Sequence, residues 1–164
     1  MGHDVRIRHI SDGDWSGILA LEASAYTDST LSEERAALES RARASPATCF
    51  VLDFEQQIAG YLLALPYPMF QYPDLTRMEE TVFHSRNLHL HDLVIAEIFR
   101  GRGLAKHLVH HLTATARSKM YERISLIAVA GSEIFWSANG YKAHHEVALP
   151  RSYGTNAVYM SKAV

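Results

Sequence analysis

The chain of 164 residues shows two hydrophobic periodicities. Runs rich in β-branched and aromatic residues, with side chains that alternate between two faces, predict strands. These runs are Val5–Ile10, Thr48–Phe54, Ile58–Tyr67, Leu88–Ile95 and Arg123–Val129, followed by two strands within Tyr141–Lys162. Apolar residues three or four positions apart predict helices instead. They occur from Ser11 or Asp12 to about Tyr26, from about Ser32 to before Pro46, from Leu104 to Ala116, and from Glu133 to Asn139.

One stretch, Leu88–Lys106, joins a strand, a basic turn with glycines, and a helix. His89 and His91 are two positions apart on the strand, so we expect both on the same side of the sheet. The turn opens a helix N-terminus, whose free N–H groups and positive dipole end favour an anion. Glycines allow the backbone to approach that anion, and basic side chains add charge. The residues concerned are Arg100, Gly101, Arg102, Gly103 and Lys106, which predict a phosphate-binding turn.

The spacing of this turn excludes two common nucleotide motifs. No Gly-x-x-x-x-Gly-Lys-Ser/Thr run occurs, and Lys106 stands where the dinucleotide motif needs its last small residue. The segment Arg100–Ala105 resembles the pyrophosphate-binding motif Gln/Arg-x-x-Gly-x-Gly/Ala of the GCN5-related N-acetyltransferase (GNAT) superfamily, whose members hold acetyl-coenzyme A. The run His89–Ile95 resembles a narrower branch, the arylalkylamine (serotonin-type) N-acetyltransferases, whose fourth strand carries His-Leu-His before the same turn.

The resemblance implies an α/β (α+β) fold in a single GNAT domain covering residues 1–164. In the family, a mixed and strongly twisted sheet is flanked by helices on both sides, which here corresponds to the order βααβββαβαββ. Family members separate the fourth strand from the fifth, and the pantetheine arm of the coenzyme enters the gap. In this sequence the gap is expected between Leu90–Ile95 and Ile124–Val129.

The resemblance also implies the site. Acetyl transfer to an alkylamine needs a base, because such amines are mostly protonated at neutral pH, and histidine suits this role with an unperturbed pKa of ~6.5. His89 and His91 are therefore the expected catalytic residues. Acetyl-CoA is the expected co-substrate, with no metal. The expected coenzyme-binding residues are Leu93, Val94, Ile95, Arg100, Gly101, Arg102, Gly103, Leu104, Ala105, Lys106, Ser132, Phe135 and Trp136.

The family's usual general acid is missing. The run Phe135–Tyr141 resembles the signature Phe-Tyr-x-x-x-Gly-Phe, whose Tyr is a frequent general acid in the family. Trp136 occupies that position here, and an indole cannot deliver a proton to a thiolate at neutral pH. Tyr153 and Ser132 are the candidate replacements, and the sequence does not choose between them.

Composition and charge limit the classes of protein to which this chain is expected to belong. Apolar residues make up 48% and charged residues 21% of the chain, as in soluble globular proteins. The formal net charge of −2 argues against binding nucleic acid. The single Cys49 is expected to be a small buried hydrophobe and suits a reducing cytoplasm. The first ten residues lack the apolar core of a signal peptide, and no apolar run approaches ~18 residues, so no membrane association is expected.

Three features have competing interpretations. The proline-rich segment Pro66–Arg77 is either a rigid surface loop or an aromatic wall over the acceptor. Zinc ligands are conceivable among the two strand histidines and those of the third helix, but a solvated helix face is the favoured explanation for His107, His110 and His111. Asp92 is predicted to point to the opposite face from His91 and to form structural hydrogen bonds.

The sequence therefore predicts an acetyl-CoA-dependent N-acetyltransferase that acts on a small primary amine, with an arylalkylamine as one candidate. One alternative is a non-catalytic acyl-CoA-binding sensor or interaction module, which stays open because Trp136 replaces the usual acid. Another is an enzyme that acetylates protein N-termini or lysines. A monomer or a homodimer is expected.

Overall fold

The computed structural model describes residues 5–26 and 31–164. Its strands are β1 Val5–His9, β2 Phe50–Phe54, β3 Gln57–Pro66, β4 Asn87–Ile95, β5 Arg123–Ala128, β6 Lys142–His144 and β7 Val158–Ala163. Its helices are α1 Trp15–Ala25, α2 Arg35–Ala44, α3 Leu104–Ser118 and α4 Glu133–Ala138. The predicted order βααβββαβαββ is confirmed, and so is the mixed α/β fold class.

In the described residues the strands form one seven-stranded sheet in the order β1-β2-β3-β4-β5-β7-β6. Neighbouring strands are antiparallel except for β4 and β5, which are parallel. A parallel pair needs a crossover connection, and α3 provides it between these two strands.

Each face of the sheet carries its own hydrophobic core. The larger core packs α3 and α4 against the sheet, through residues such as Leu88, Leu90, Leu108 and Trp136. The second core packs α1 and α2 against the opposite face. Cys49 lies in the second core, where burial raises the pKa of its thiol to about 12, so the prediction of a buried hydrophobe is confirmed.

The parallel strands separate part-way along their length. Pairing between β4 and β5 runs only from Asn87 with Arg123 to Leu90 with Leu126, although both strands continue. Beyond Leu90, no described strand pairs with this edge of β4, whereas its other edge pairs with β3 as far as Ile95. The predicted gap between the fourth and fifth strands is therefore present.

A bulge in β4 corrects the prediction for Asp92. The pairing register with β3 shifts between Leu63 and Ala64, which leaves His91 as an extra residue. An extra residue reverses the alternation of side chains that follow it. Asp92 therefore accepts hydrogen bonds from Tyr26 on the side of α1 and α2, where His91 also lies. The predicted hydrogen bonding of Asp92 is correct, but its predicted face is wrong.

The second helix begins at Arg35, later than the predicted start near Ser32. The backbone N–H of Glu33 donates to the carboxylate of Glu22, 2.6 Å away, and this bond holds the preceding residues in an extended segment. Among the residues that the structure describes, no helix is long and apolar enough to cross a membrane.

Candidate active site

The separated ends of β4 and β5 enclose a cleft of about 740 Å³. Residues of β4, the basic turn, β5 and α4 line this cleft. The lining residues include every predicted coenzyme-binding residue except Arg102, namely Leu93, Val94, Ile95, Arg100, Gly101, Gly103, Leu104, Ala105, Lys106, Ser132, Phe135 and Trp136. The fold thus brings together residues that span a stretch of more than forty positions in the sequence.

The basic turn has the backbone geometry that only glycine adopts easily. Gly101 and Gly103 have φ angles of 80° and 76°, in the left-handed region. A Cβ atom at either position would meet no atom within 4 Å, so the space above both residues is open. Arg100 anchors the turn through its Nε, which donates to the carbonyl of Ile95 at 3.1 Å. Arg102 instead lies over the ring of Phe54, 5.5 Å from its centroid.

His91 lines the cleft next to the point where β4 and β5 separate. Its side chain is only 2% exposed, and its Nε2 is hydrogen bonded to Oε1 of Glu33. A carboxylate offers only acceptors, so Nε2 of the neutral imidazole carries the hydrogen and donates it. Nδ1 of His91 has no hydrogen-bond partner among residues 5–26 and 31–164. This buried nitrogen therefore keeps its lone pair available for a ligand.

A second, much smaller cavity of about 50 Å³ adjoins the cleft at His91. In the described part of the chain, four residues line both cavities: Tyr26, His91, Ile127 and Val129. The small cavity is also lined by Leu31, Glu33, Leu75, Asp92 and Tyr153, so two carboxylates lie beside His91. We call this cavity the acceptor pocket.

His89 lies behind the site. It is 1% exposed, its Nδ1 is 2.9 Å from the hydroxyl of Ser125, and it is not among the residues that line the cleft or the acceptor pocket. Burial, with smaller contributions from His91 and Arg41, lowers the pKa of His89 to about 3. The structure therefore keeps His89 neutral at physiological pH and separates it from the cavity that His91 reaches.

Asp92 is buried and lines the acceptor pocket. It accepts hydrogen bonds from the hydroxyls of Tyr26 and Tyr61, both at 2.6 Å. Burial raises the pKa of its carboxyl to about 6, against the lowering effects of His91 and the two tyrosines.

A buried ionic network extends from His91 toward the long loop between β3 and β4. Glu33 binds Arg41 through Oε2, and Arg41 also binds Glu79 with an N···O distance of 2.5 Å. The sequence pattern does not mark Glu33, Tyr26, Arg41 or Glu79 as contributors to the site. The only local signal was the paired acidic residues before α2, and acidic residues at a helix start are commonly solvent-exposed.

The candidate replacements for the general acid lie in different places. Tyr153 lines the acceptor pocket but not the cleft, and its hydroxyl donates to the carbonyl of Pro73 at 2.5 Å. Ser132 lines the cleft, next to Trp136. Ser132 thus stays a candidate, whereas Tyr153 has its proton directed away from the cleft.

The rings of the proline-rich segment pack onto the rest of the molecule. Phe70 contacts the rings of Tyr159 and His144, and Tyr72 lies edge-on to Tyr153. Leu75 is the residue of this segment that lines the acceptor pocket. These contacts favour the rigid-loop interpretation over an aromatic wall.

The helical histidines do not converge on the site. His107 and His110 are exposed, and His111 lies edge-on to Phe50. No group of three or more metal-ligating side chains is arranged to hold an ion within the described ranges.

Comparison with known proteins identifies the family. The family model for the acetyltransferase (GNAT) family matches residues 15–140, most of the chain. This chain belongs to the acetyltransferase (GNAT) family. The matched region contains β4, the basic turn and α3, so it includes the residues that line the cleft. A comparison with curated proteins found no match.

Solved structures agree on the fold at low sequence identity. Ard1 from Thermoplasma volcanium superposes with a TM-score of 0.77 at 17% identity, over 98% of this chain and 97% of the other. A ribosomal-protein-alanine N-acetyltransferase from Brucella melitensis superposes with a TM-score of 0.70 at 20% identity, over 97% of this chain and 99% of the other. The PaiA N-acetyltransferase from Thermoplasma acidophilum, in complex with coenzyme A, superposes with a TM-score of 0.69 at 13% identity, over 98% of this chain and 99% of the other.

One prediction tests the basic turn as the coenzyme-binding element. Gly103→Val places a β-branched residue at a φ of 76° and fills the open space above the turn. The strain of a left-handed residue is roughly 1–2 kcal/mol. The dissociation constant for coenzyme A should therefore rise about tenfold. Isothermal titration calorimetry measures it. Gly154→Val is the matched control, because Gly154 has a φ of 95°, equally open space and no place in the cleft. Equal affinities for the two variants would contradict the assignment.

Proposed function

We propose that this protein is an acetyl-CoA-dependent N-acetyltransferase that acetylates a small primary amine, with His91 as its general base. The observation that carries the proposal is the buried, unpartnered Nδ1 of His91, at the junction of the cleft and the acceptor pocket. A base that removes a proton from an attacking amine needs a lone pair that no other group of the protein occupies, and His91 supplies one where the two cavities meet.

The cleft has the features that coenzyme A requires. Arg100, Gly101, Gly103 and Lys106 would hold the pyrophosphate at the N-terminus of α3, and the unpaired edge of β4 at Leu93–Ile95 would bind the pantetheine arm. Acetyl-CoA supplies the acyl group as a thioester, whose sulfur leaves as a thiolate. His89 was predicted as a second catalytic residue, but its low pKa and its place outside both cavities lead us to assign the base to His91 alone.

The acceptor pocket favours the amine end of a slender molecule. Its volume of about 50 Å³ is a small fraction of the 740 Å³ of the adjoining cleft, so it has room for only a small group. The methylene groups next to the nitrogen would contact Leu31, Leu75, Tyr26 and Tyr153. The carboxylates of Glu33 and Asp92 favour a cationic amine over an anionic nucleophile. An arylalkylamine fits this description if its ring remains outside the acceptor pocket.

A protein acceptor is the second candidate, for one structural reason. An open groove of about 710 Å³ is lined by Ser32, Glu34, Thr76, Arg77, Arg151 and Ser152, among others. These residues are sequence neighbours of Glu33, Leu75 and Tyr153, which line the acceptor pocket. A peptide whose amine enters the pocket would therefore leave through this groove.

The test is thiol release from acetyl-CoA with a panel of acceptors. The panel contains phenethylamine, tryptamine, spermidine, a lysine peptide and a peptide with a free N-terminus. We expect turnover with at least one small amine. Turnover with the peptides alone would replace the proposal with a protein acetyltransferase. Tight binding of coenzyme A with no turnover on any acceptor would support the sensor function instead.

A further inference from the structure

The carboxylate of Glu33 is built into the fold as the partner of His91. Its Oε1 contacts Nε2 of His91, and its Oε2 binds the guanidinium of Arg41, with Nε at 3.0 Å. The side chains of Glu33 and His91 are 3% and 2% exposed. Because both oxygens of Glu33 are occupied, this carboxylate is poorly placed to take a proton from a substrate itself.

The backbone of Glu33 is held as firmly as its side chain. Its N–H donates to the carboxylate of Glu22, and the hydroxyl of Ser32 donates to the same carboxylate at 2.7 Å. This anchoring stops α2 from beginning earlier and keeps the carboxylate aimed at β4. Glu33 and His91 are 58 positions apart in the sequence.

The charges of the network leave one negative charge for His91. Arg41 is shared between Glu33 and Glu79, and it also donates to the carbonyls of Asp74 and Arg77 at 3.0 and 3.1 Å. One guanidinium between two carboxylates has a net charge of −1. Burial alone would raise the pKa of Glu33, but the charges and hydrogen bonds of His91 and Arg41 outweigh it and lower that pKa.

We propose that Glu33 is a positioning residue for catalysis, which fixes His91 as the Nε2–H tautomer and stabilises its imidazolium form, with Arg41 and Glu79 holding the carboxylate in place. The proposal rests on the proposed function of His91. During acylation, the neutral amine nitrogen forms a bond to the acyl carbon and loses a proton to Nδ1 of His91, while the carbon–sulfur bond of the thioester breaks and its electron pair leaves on the sulfur. The imidazolium keeps its Nε2–H on Glu33, which stays ionised. The proton on Nδ1 then passes to the departing thiolate or to water, which restores the neutral imidazole.

The groups around His91 determine how the pH profile should respond. The titratable and charged groups that face it are Tyr26 at the end of α1, Glu33 before α2, Arg41 on α2, His89 and Asp92 on β4, and Tyr153 before β7. A carboxylate in contact with an imidazolium stabilises the protonated form, so its removal favours the neutral form at lower pH.

The experiment compares Glu33→Gln with the wild type in kcat and in the pH dependence of kcat/KM. We expect kcat to fall roughly 10- to 100-fold, a part of the ~10²–10⁴-fold that a general base supplies. The acidic limb of the profile should move to lower pH. Binding of coenzyme A should be unchanged. Glu39→Gln is the matched control, since Glu39 is on the same helix as Arg41 and, among residues 5–26 and 31–164, its ion pairs are with the exposed Arg35 and Arg43.

A purely structural role is distinguished by a second pair of variants. If Glu33 acts through His91, the double variant Glu33→Gln/His91→Gln should turn over no more slowly than His91→Gln alone. Glu33→Asp, which keeps the charge, should keep the wild-type acidic limb even if its kcat is lower. The proposal is overturned if the acidic limb of the pH profile does not move in Glu33→Gln, or if the double variant turns over more slowly than His91→Gln. Full turnover by His91→Gln would instead overturn the proposed function, so the two failures are distinguishable.

Discussion

Replacing His91 with glutamine is expected to lower kcat for acetyl transfer by roughly two to four powers of ten, the contribution typical of a positioned general base. Glutamine fills a similar space but has no basic nitrogen to take the amine proton at Nδ1. The loss should be greatest above the acidic limb of the wild-type profile, where the imidazole of His91 is available as a base while most of the amine is still protonated, and smaller at alkaline pH, where free amine is available in solution. Steady-state kinetics across this pH range, at saturating acetyl-CoA, measure both effects.

Two other histidines serve as controls for this prediction. His110→Gln changes an exposed residue on α3 and should leave kcat unchanged. His89→Gln changes the buried neighbour that lines neither cavity, and it should affect folding stability more than kcat. Turnover by His91→Gln close to that of the wild type, with coenzyme A still bound, would show that the base lies elsewhere.

Arg41→Leu is expected to destabilise the folded protein by about 3–5 kcal/mol, because it leaves the buried carboxylates of Glu33 and Glu79 without a counter-charge. The side chain of Arg41 is 1% exposed, and those of its two partners are 3% and 7% exposed. Water therefore cannot replace the lost interactions. Urea unfolding at neutral pH, followed by circular dichroism, gives the change in the free energy of unfolding.

The neighbouring arginine on the same helix provides the matched control. Arg43 is 63% exposed and pairs with Glu39 at 3.7 Å, so Arg43→Leu should cost less than about 1 kcal/mol. Adding Glu33→Gln and Glu79→Gln to Arg41→Leu should recover part of the lost stability by removing the unpaired charges. If Arg41→Leu and Arg43→Leu were equally stable, the buried network would not be a major stabilising feature.

The basic turn shows how much of the site a sequence can specify. The alternation of β4, the glycines at 101 and 103 and the apolar stripe of α3 are all local patterns, and each reports on a few neighbouring residues. Because the left-handed turn and the start of α3 depend on those neighbours alone, the residues predicted to bind the coenzyme lie around the cleft, apart from Arg102.

The bulge in β4 shows where local patterns fail. Side-chain alternation predicts faces only while the ladder is regular, and one extra residue at His91 reverses every face after it. The sequence contains no glycine or proline in this strand to mark the irregularity. Asp92 was placed on the wrong side for this reason.

The sequence by itself determined the order of the elements, the crossover helix and the glycine-containing turn before it, because periodicity and turn chemistry act over short distances. Only the tertiary structure decided which histidine reaches the cleft, where α2 begins, and that Glu33, Arg41 and Glu79 form one buried network. Charged residues that become buried partners look the same in a sequence as charged residues on a surface. Their partners lie 8 to 58 positions away, and packing of the helices and the long loop against the sheet brings them together.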